Sequence, residues 1–358
     1  MSDLLVSTRK GLFTLRRSTA GWAIDDVHFL GDPVSLVRPT ADGALYAALE
    51  LGHFGAKLHR RDQDGVWAEI GVPVYPTQPP DVEGEKPDVK WSLQKFWAIE
   101  QGSDGTLWAG TLPGGLFRSA DEGATWSLVE SLWNMPERRA WFGGGADVPG
   151  LHSIAVDPRD PRRLHVAVSC GGVWYTEDAG ETWQVRAKGM FAAFMPPDQR
   201  ENPLIQDPHR MVACPAAPDV LWVQHHNGVF RSTDAARTWT SVEVPPSVFG
   251  FAVGVHPEDP DTAWFVPAVK DECRVPVDAA VVVARTRDGG RSFDVLRSGL
   301  PQQHAYDLVF RHAFAVHRSG DVLAFGSSTG NLWVSEDAGD HWTQVSAHLP
   351  PIYAVCFG

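Results

Sequence analysis

The sequence predicts an all-β fold, a seven-bladed β-propeller formed by residues 1–358 as a single domain. Three observations carry this prediction. A short motif recurs along the chain, its copies are spaced like four-stranded sheets, and the two ends of the chain carry strands that complement each other. Together they indicate a ring of sheets that is closed by the C-terminal strand completing the N-terminal blade.

The recurring motif, called the repeat box below, contains a hydroxyl residue, then Asp, Gly, a second hydroxyl residue and an aromatic residue. One residue of any type separates each of the first four motif residues from the next, and the aromatic residue directly follows the second hydroxyl residue. Its five best copies span residues 119–126, 176–183, 232–239, 286–293 and 335–342. In such a stretch the Asp side chain accepts backbone N–H bonds of a turn, and Gly supplies the positive φ. Each box therefore predicts a hairpin turn.

The spacing of the boxes predicts the size of the repeating unit. Two weaker copies end at Trp22 and Trp67, and successive box aromatics are 45, 59, 57, 56, 54 and 49 residues apart. One four-stranded sheet with its loops needs about this length, which is typical of a propeller blade. Seven copies therefore predict seven blades, whose strands we label A to D from the inside outwards.

These box residues resemble the Asp-box, or bacterial neuraminidase (BNR) repeat, family, and the resemblance covers essentially the whole chain. It implies a propeller with Asp-box hairpins, similar to bacterial "glycosyl hydrolase, BNR repeat" proteins. The same fold occurs in sialidases, xyloglucan-active glycosidases, sortilin-type receptors and a photosystem assembly factor. The resemblance is thus specific for the fold and leaves the chemistry open, and it implies that the box aspartates are structural.

The termini fix how the ring closes. The chain opens with predicted strands B, C and D at Leu4–Ser7, Gly11–Leu15 and Trp22–Asp25, and it ends with an A-like strand within Pro351–Gly358. A last strand that completes the first blade removes exposed sheet edges, which would otherwise aggregate. We therefore expect the C-terminal strand to be the innermost strand of the first blade.

Composition narrows the classes of function. Lys and Arg total 31 and Asp and Glu total 44, a net charge of −13, so we expect no nucleic-acid partner. No signal-like N-terminus and no stretch of about 18 apolar residues is present, so we expect no membrane association. The four cysteines are widely spaced and form no CxxC pair, which favours a reducing, cytoplasmic setting.

Long loops indicate which face carries the function. In a propeller the A–B and C–D turns share one face, so the repeat boxes lie there, and the D–A and B–C loops share the other, the loop face. The extended loops all belong to the loop face: Gly71–Lys95, Ser131–Gly150, Lys188–Pro208 and Pro267–Asp278. Loops of this length in a compact domain usually bind ligands or cover sites. We expect them to wall a pocket over the channel.

Histidines at the loop face suggest a metal site. The candidate ligands are His53, His152, His209, His225 and His304, of which His152, His209 and His304 start predicted inner strands. Imidazole with carboxylate ligands suits a divalent metal, Zn²⁺, Mn²⁺, Fe²⁺ or Cu²⁺. The alternative is that these histidines bond loop backbones. Of the neighbours His225 and His226, one should be buried and the other exposed.

Other polar residues of this rim suggest acid–base chemistry on a small-molecule substrate. The candidate catalytic residues are His209, Tyr306, Asp307 and Glu272. The candidate substrate-binding residues are Lys95, Trp91, Trp141, Arg210, Lys270, Arg274 and Tyr353. The alternative for Tyr306 and Asp307 is an anchor that holds their loop in place.

The sequence therefore favours a hydrolase or lyase that acts at the loop face on a small polar, carbohydrate-like substrate, with metal assistance as one option. A sialidase is disfavoured, because Arg38-Pro39 stands without the Arg-Ile-Pro motif of those enzymes and the rim has few arginines. The alternative is a non-catalytic binding or assembly scaffold. An enclosed pocket would favour the enzyme, and a broad open face would favour the scaffold.

Overall fold

The structure, a computed structural model, describes residues 3–80, 84–86, 89–144 and 146–358. The described residues form seven four-stranded antiparallel sheets, which confirms the predicted seven-bladed β-propeller. Residues 81–83, 87–88 and 145 belong to two of the predicted long loops and lie outside the described residues.

The strands follow one another from blade to blade. The first three blades contain β1 Leu4–Thr8, β2 Gly11–Ser18, β3 Gly21–His28, β4 Val34–Pro39, β5 Leu45–Glu50, β6 Ala56–Arg61, β7 Trp67–Ile70, β8 Lys95–Gln101, β9 Leu107–Leu112, β10 Leu116–Ser119 and β11 Ser127–Leu128. The fourth and fifth contain β12 Leu151–Val156, β13 Leu164–Val168, β14 Gly172–Thr176, β15 Gln184–Val185, β16 Pro208–Cys214, β17 Ala217–His225, β18 Gly228–Ser232 and β19 Thr240–Val242. The last two contain β20 Gly250–Val255, β21 Ala263–Pro267, β22 Val283–Thr286, β23 Asp294–Leu296, β24 Phe314–Val316, β25 Leu323–Gly326, β26 Leu332–Ser335 and β27 Thr343–Ser346, and β28 Ile352–Phe357 ends the chain.

Helical segments are few and short. The described part of the chain has one α-helix, α1, at Glu130–Trp133, and 3₁₀ turns at Gly52–Phe54, Pro136–Ala140 and Val277–Ala279. Within the described residues, no helix has both the length and the apolar character needed to cross a lipid bilayer.

The ring closes through the last strand, as predicted. β28 pairs antiparallel with β1, with Leu4 opposite Phe357 and Val6 opposite Val355, so the first blade has the order β28-β1-β2-β3. Backbone bonds from Arg9 N–H to the Pro351 carbonyl (2.9 Å) and from Gly358 N–H to the Asp3 carbonyl (2.8 Å) extend this pairing at both ends. The closing strand thus covers the edge that β1 would otherwise expose.

Each well-formed box bonds to itself in the same way. In the third blade, Asp121 Oδ1 accepts the Thr125 backbone N–H at 2.9 Å, and its Oδ2 accepts the Thr125 hydroxyl at 2.6 Å. Ser119 Oγ donates to Asp121 Oδ1 at 2.8 Å and accepts the Gly123 N–H, where φ is +87°. These bonds hold the pKa of Asp121 down at about 2. The box is therefore a self-satisfied turn.

Box tryptophans join neighbouring blades. Trp126 Nε1 donates to the Gly71 carbonyl of the preceding blade at 3.1 Å, and Trp239 Nε1 donates to the Arg186 carbonyl at 2.9 Å. Their rings pack between adjacent sheets, so one residue type both seals the apolar interface and bonds across it.

The inner strands carry bulges close to the loop face. In β8, β12 and β16 the register shifts around Trp97, His152 and His209, so that none of these residues opposes a partner on strand B. A bulge leaves one residue unpaired and re-aims its side chain. Three successive blades therefore each carry one inner-strand residue without a partner on strand B, close to the loop face.

The seventh blade departs from the prediction. Its inner strand is only β24, and residues 297–313 form the loop that precedes it. His304, Tyr306 and Asp307, predicted at the start of an inner strand, lie in this loop instead. Asp307 Oδ1 accepts bonds from Ser327 Oγ and Asn331 Nδ2, both at 2.7 Å, and so ties the loop to the β25–β26 turn.

Candidate functional site

The loop face contains a cavity of about 700 Å³. Loops from the third to the sixth blades wall it, and three of the four predicted long loops contribute, whereas no described residue of Gly71–Lys95 lines it. Its polar lining is Cys170, Asp207, His209, His226, Asn227, Ser247, Lys270, Asp271, Glu272 and Arg274, and its aromatic lining is Phe142, Phe194, Phe249 and Phe251. Aromatic walls with a few convergent polar groups are typical of a small-molecule site.

Asp207, His209 and His226 form the polar floor of this cavity. One ligand atom from each lies within 4.8 Å of the others. Asp207 directly precedes β16, His209 is the bulged residue of that strand, and His226 directly follows β17. The His226 N–H donates to the Asp207 carbonyl at 2.9 Å, so the ends of two paired strands fix the group.

The tautomer of His209 is set by the backbone. His209 Nδ1 lies 2.7 Å from the Gly250 carbonyl oxygen, which can only accept, so Nδ1 carries the proton. The bare Nε2 then lies 3.6 Å from Asp207 Oδ2, and two electron-rich atoms face each other. Burial lowers the pKa of His209, with Asp207 opposing this shift, so the ring is neutral at neutral pH. A histidine held in this way is prepared for a cation at Nε2.

Asp207 stays ionised although it is buried. Burial by itself would raise its pKa, but the contacts with the two histidine rings and the charge of Arg311 outweigh burial and hold the pKa well below the usual range. Asp207 Oδ1 also accepts the Cys170 backbone N–H at 3.1 Å. His226 Nδ1 lies 3.4 Å from Asp207 Oδ2, and this histidine is 20% exposed, so the open side of the group faces the cavity.

Arg311 supports this negative charge from behind. Its guanidinium lies between the rings of Trp97 and Phe251, 5.1 and 5.2 Å from their centroids. Burial lowers the pKa of Arg311 to about 10, and the charge of Asp207 limits that fall. Arg311 therefore remains a cation that stabilises ionised Asp207.

Gly144 and Cys170 pack against the Asp207 carboxylate. A Cβ added to Gly144 would lie 2.7 Å from Cys170 Sγ and 2.9 Å from Asp207 Oδ1, so only glycine fits there. Burial, followed by the charge of Asp207, raises the pKa of the Cys170 thiol. Cys170 is thus a protonated thiol at neutral pH and is a poor nucleophile in this state.

Four of the predicted site residues lie together at this cavity: His209, Lys270, Glu272 and Arg274. Lys270 Nζ lies 3.5 Å from Glu272 Oε2. Arg274 Nε donates to Asp271 Oδ1 at 3.0 Å, and its guanidinium lies 5.3 Å from the Phe251 ring centroid. The expanded loop of the sixth blade therefore contributes both charge signs to the rim.

The other predicted metal ligands do not line this cavity. The expectation that His152, His209 and His304 would share one metal site is therefore corrected. His304 is exposed in the loop before β24, and His53 is exposed and contacts Phe54. His152 is buried against Trp97 (5.7 Å between ring centroids) and its Nδ1 lies 3.0 Å from Ser153 Oγ. Burial, together with the charge of Arg311, lowers the pKa of His152 well below its usual value.

The prediction that His225 is a metal ligand is also corrected. It is fully buried, and its Nε2 and Nδ1 face the backbone N–H groups of Asp207 (2.9 Å) and Asn227 (3.1 Å). Its ring therefore orders the loop around Asp207 and has no nitrogen left for an ion. The expected contrast between the neighbours holds, with His225 buried and His226 the partly exposed one.

Tyr306 and Asp307 do not line the cavity, and the loop-anchor interpretation fits their contacts. Tyr306 is 58% exposed, and Asp307 is engaged by the β25–β26 turn. Trp91 and Trp141 are packing residues: Trp91 Nε1 donates to Glu85 at 3.1 Å, and Trp141 is buried against Trp174. All four positions depend on how long loops fold, which is not a local property of the sequence.

The remaining predicted binding residues lie in two other places. Lys95 Nζ is 3.2 Å from Glu50 Oε2 and 5.8 Å from the ring centroid of Tyr353, between the first three blades. Arg210 lines a separate cavity deeper in the channel. Sequence reasoning missed Asp207, His226 and Arg311. Asp207 immediately precedes a predicted inner strand, which is the signal that could have identified it.

The chain matches no protein-family model. At 26% identity over 276 residues, it is similar to a "Probable oligoxyloglucan-reducing end-specific xyloglucanase" of Neosartorya fischeri, covering 68% of this chain and 31% of that protein. At 23% identity over 281 residues, it is similar to a "Xyloglucanase" of a Paenibacillus species, covering 66% of this chain and 26% of that protein. The chain thus spans less than a third of the length of these curated relatives.

Solved structures support the fold. An ancestral GH74 enzyme gives a TM-score of 0.57 at 14% identity, over 91% of this chain and 38% of that chain. YCF48 from Cyanidioschyzon merolae gives a TM-score of 0.56 at 12% identity, over 89% of this chain and 87% of that chain. At such low identities the likeness concerns the β-propeller fold alone.

Proposed function

We propose that this protein is a metal-assisted hydrolase or lyase that acts on a carbohydrate at the loop-face cavity. One observation carries the proposal: two imidazoles and a carboxylate converge within 4.8 Å at the floor of that cavity. The similarity to proteins described as xyloglucanases supports a carbohydrate substrate, although these relatives are much longer chains.

A divalent ion would be held by Asp207, His209 and His226. Two histidines with one carboxylate are a set that suits Zn²⁺, Mn²⁺ or Fe²⁺ and leaves positions open for substrate. The Nδ1 bond of His209 to the Gly250 carbonyl is the outer-shell contact that metal-bound histidines usually make. At this position the ion would act as a Lewis acid on a substrate oxygen.

The chain's own side chains supply a base. Glu272 lines the cavity, and its pKa is lowered by its own backbone N–H and then by the charge of Lys270. Glu272 and Asp207 are therefore both ionised at neutral pH, so neither is suited to donate a proton. A pair of carboxylates working as acid and base is thus less suitable here than a base acting beside a metal.

The walls suit a sugar ring. Phe194, Phe249 and Phe251 present apolar surface, and Lys270 and Arg274 present hydrogen-bond donors at the rim. Carbohydrates combine apolar ring faces with hydroxyl groups, so such a lining can orient one and exclude water from it. A concave site with convergent polar groups also favours an enzyme over a broad scaffold surface.

Metal content and turnover test the proposal together. Protein purified without a polyhistidine tag should hold a stoichiometric divalent metal by elemental analysis, and His209→Ala should lose it. His304→Ala is the matched control, because this exposed histidine lies outside the cavity and should leave metal content unchanged.

Activity is assayed on xyloglucan oligosaccharides and on a panel of uronic-acid oligosaccharides. New reducing ends without ultraviolet absorbance indicate hydrolysis, and an unsaturated product that absorbs indicates a lyase. Activity that depends on added metal and disappears in His209→Ala supports the proposal. A wild-type protein that binds none of Zn²⁺, Mn²⁺ or Fe²⁺, or that turns over substrate equally well after chelation, overturns the metal assignment.

A further inference from the structure

A second cavity, of about 490 Å³, lies on the axis between the lower halves of the inner strands. It extends to the ends of those strands on the box face, away from the Asp207 group. The charged side chains lining it are Arg38, Glu100, Arg210 and Arg318, three cations and one anion. This excess of positive charge is opposite to the net charge of the chain, −13.

The single carboxylate is already engaged. Glu100 on β8 forms a close ion pair with Arg38 on β4. Arg210 on β16 donates from Nη1 to His312 Nδ1 at 3.0 Å, and it forms no ion pair with any residue that the structure describes. Arg210 therefore faces the cavity as a cation without a carboxylate partner.

The surroundings of Arg210 leave several donors unused. A guanidinium offers five N–H donors, and only one has a protein acceptor here. His312 accepts this bond at Nδ1 and so holds one Nη of Arg210 in place. Both side chains line the same cavity.

Such an arrangement is unfavourable unless something compensates the charge. A guanidinium is charged at neutral pH in proteins, so Arg210 is a partly buried cation at the cavity wall. The one carboxylate side chain of the lining pairs closely with Arg38. A bound anion would supply Arg210 with both charge and acceptors.

We propose that the channel cavity binds a small oxyanion, a carboxylate or phosphate group, against the guanidinium of Arg210. A planar guanidinium fork matches the paired oxygens of either group. The site is separate from the Asp207 group and requires no metal.

Calorimetric titration with inorganic phosphate and with acetate tests this directly. The protein is first dialysed into chloride buffer and is titrated at constant ionic strength, both before and after chelation, so that an anion bound to a metal is recognised. Saturable binding that survives chelation is expected. A preference for phosphate points to a phosphorylated ligand, and a preference for acetate points to a carboxylate.

Arg210→Gln should weaken this binding by at least about ten-fold, the loss of one charge-assisted bond. It should melt no lower than the wild type in chloride buffer, because it removes an unpaired charge. Arg287→Gln is the matched control, since Arg287 is exposed on a box, and it should bind as the wild type does.

Arg210→Lys keeps the charge and loses the fork, so it should fold and bind with intermediate affinity. No saturable binding of either anion to the wild type overturns the proposal. Equal binding by Arg210→Gln and the wild type does so as well. A large drop in the melting temperature of Arg210→Gln in chloride buffer would show that Arg210 is a structural cation and would also overturn it.

Discussion

Aspartates on the two faces of the ring have opposite surroundings. On the box face, Asp178 accepts the Thr182 N–H at 2.9 Å, the Thr182 hydroxyl at 2.6 Å and the Thr176 hydroxyl at 2.7 Å, all from its own turn. On the loop face, Asp207 accepts the Cys170 N–H and turns its other oxygen toward His209 and His226.

The difference separates a residue that maintains the fold from one that can bind. A carboxylate whose oxygens are engaged by its own turn stabilises that turn and has little capacity left. A carboxylate that faces the bare nitrogen of an imidazole keeps an unsatisfied position, which a cation can fill. The same residue type thus serves two roles, decided by which neighbours supply the donors.

Removing the closing strand should have the largest effect, because it acts on both faces. Deletion of residues 351–358 removes β28 and exposes the edge of β1, so cooperative thermal unfolding should be lost and the protein should aggregate. Circular dichroism melting and light scattering measure this. Deletion of Gly358 alone leaves β28 in place and should change little, and an unchanged melt of the longer deletion would refute the closure argument.

Asp207→Asn should remove function while keeping the fold. Loss of a residue that only hydrogen-bonds to a metal ligand typically lowers metal affinity 10–100-fold. Asp207 is itself a proposed ligand, so its loss should lower metal affinity and turnover by more than about 100-fold. Asparagine still accepts the Cys170 N–H, so the melting temperature should stay close to that of the wild type. Metal titration and activity assays measure the effect, and retained metal binding would remove Asp207 from the site.

Asp178→Ala should give the reverse result. It removes the bonds that close one box, which should lower the free energy of unfolding by about 1–2 kcal/mol. Activity per folded molecule should be unchanged, because the box lies on the other face. Urea denaturation and the activity assay together measure this, and lost activity at full stability would mean that the functional face is misassigned.

Acid should weaken the box face by a smaller, graded amount. Hydrogen bonds from the box hydroxyls and backbone lower the pKa of Asp121, Asp178 and Asp288 to about 2. The unfolded value is about 3.9, so this stabilisation is present above that pH and is lost as the pH falls toward 2. Urea midpoints at pH 7, 4 and 3 should fall in that order, and Asp178→Asn should show a shallower fall. Equal slopes would contradict this origin.

Sequence reasoning succeeded at the loop face where the position depended on a short stretch of chain. Lys270, Glu272 and Arg274 share one expanded loop, and His209 starts an inner strand, so all four lie at the cavity. The predicted position of His304 was wrong, because this residue lies in the loop of residues 297–313, whereas it was predicted to start an inner strand. Of the neighbours His225 and His226, the alternation was right, but only the structure decided which ring faces inward.

The sequence by itself determined the repeating architecture. A box such as Ser119–Trp126 contains its own acceptors, donors and glycine, so its turn follows from contiguous residues, and the spacing of seven such boxes gives the blades and their closure. Only the tertiary structure decided the site. A bulge re-aims His209, a distant carbonyl at Gly250 sets its tautomer, and Arg311 and Gly144 approach Asp207 from other blades. Those contacts join residues far apart in the chain, and no local pattern encodes them.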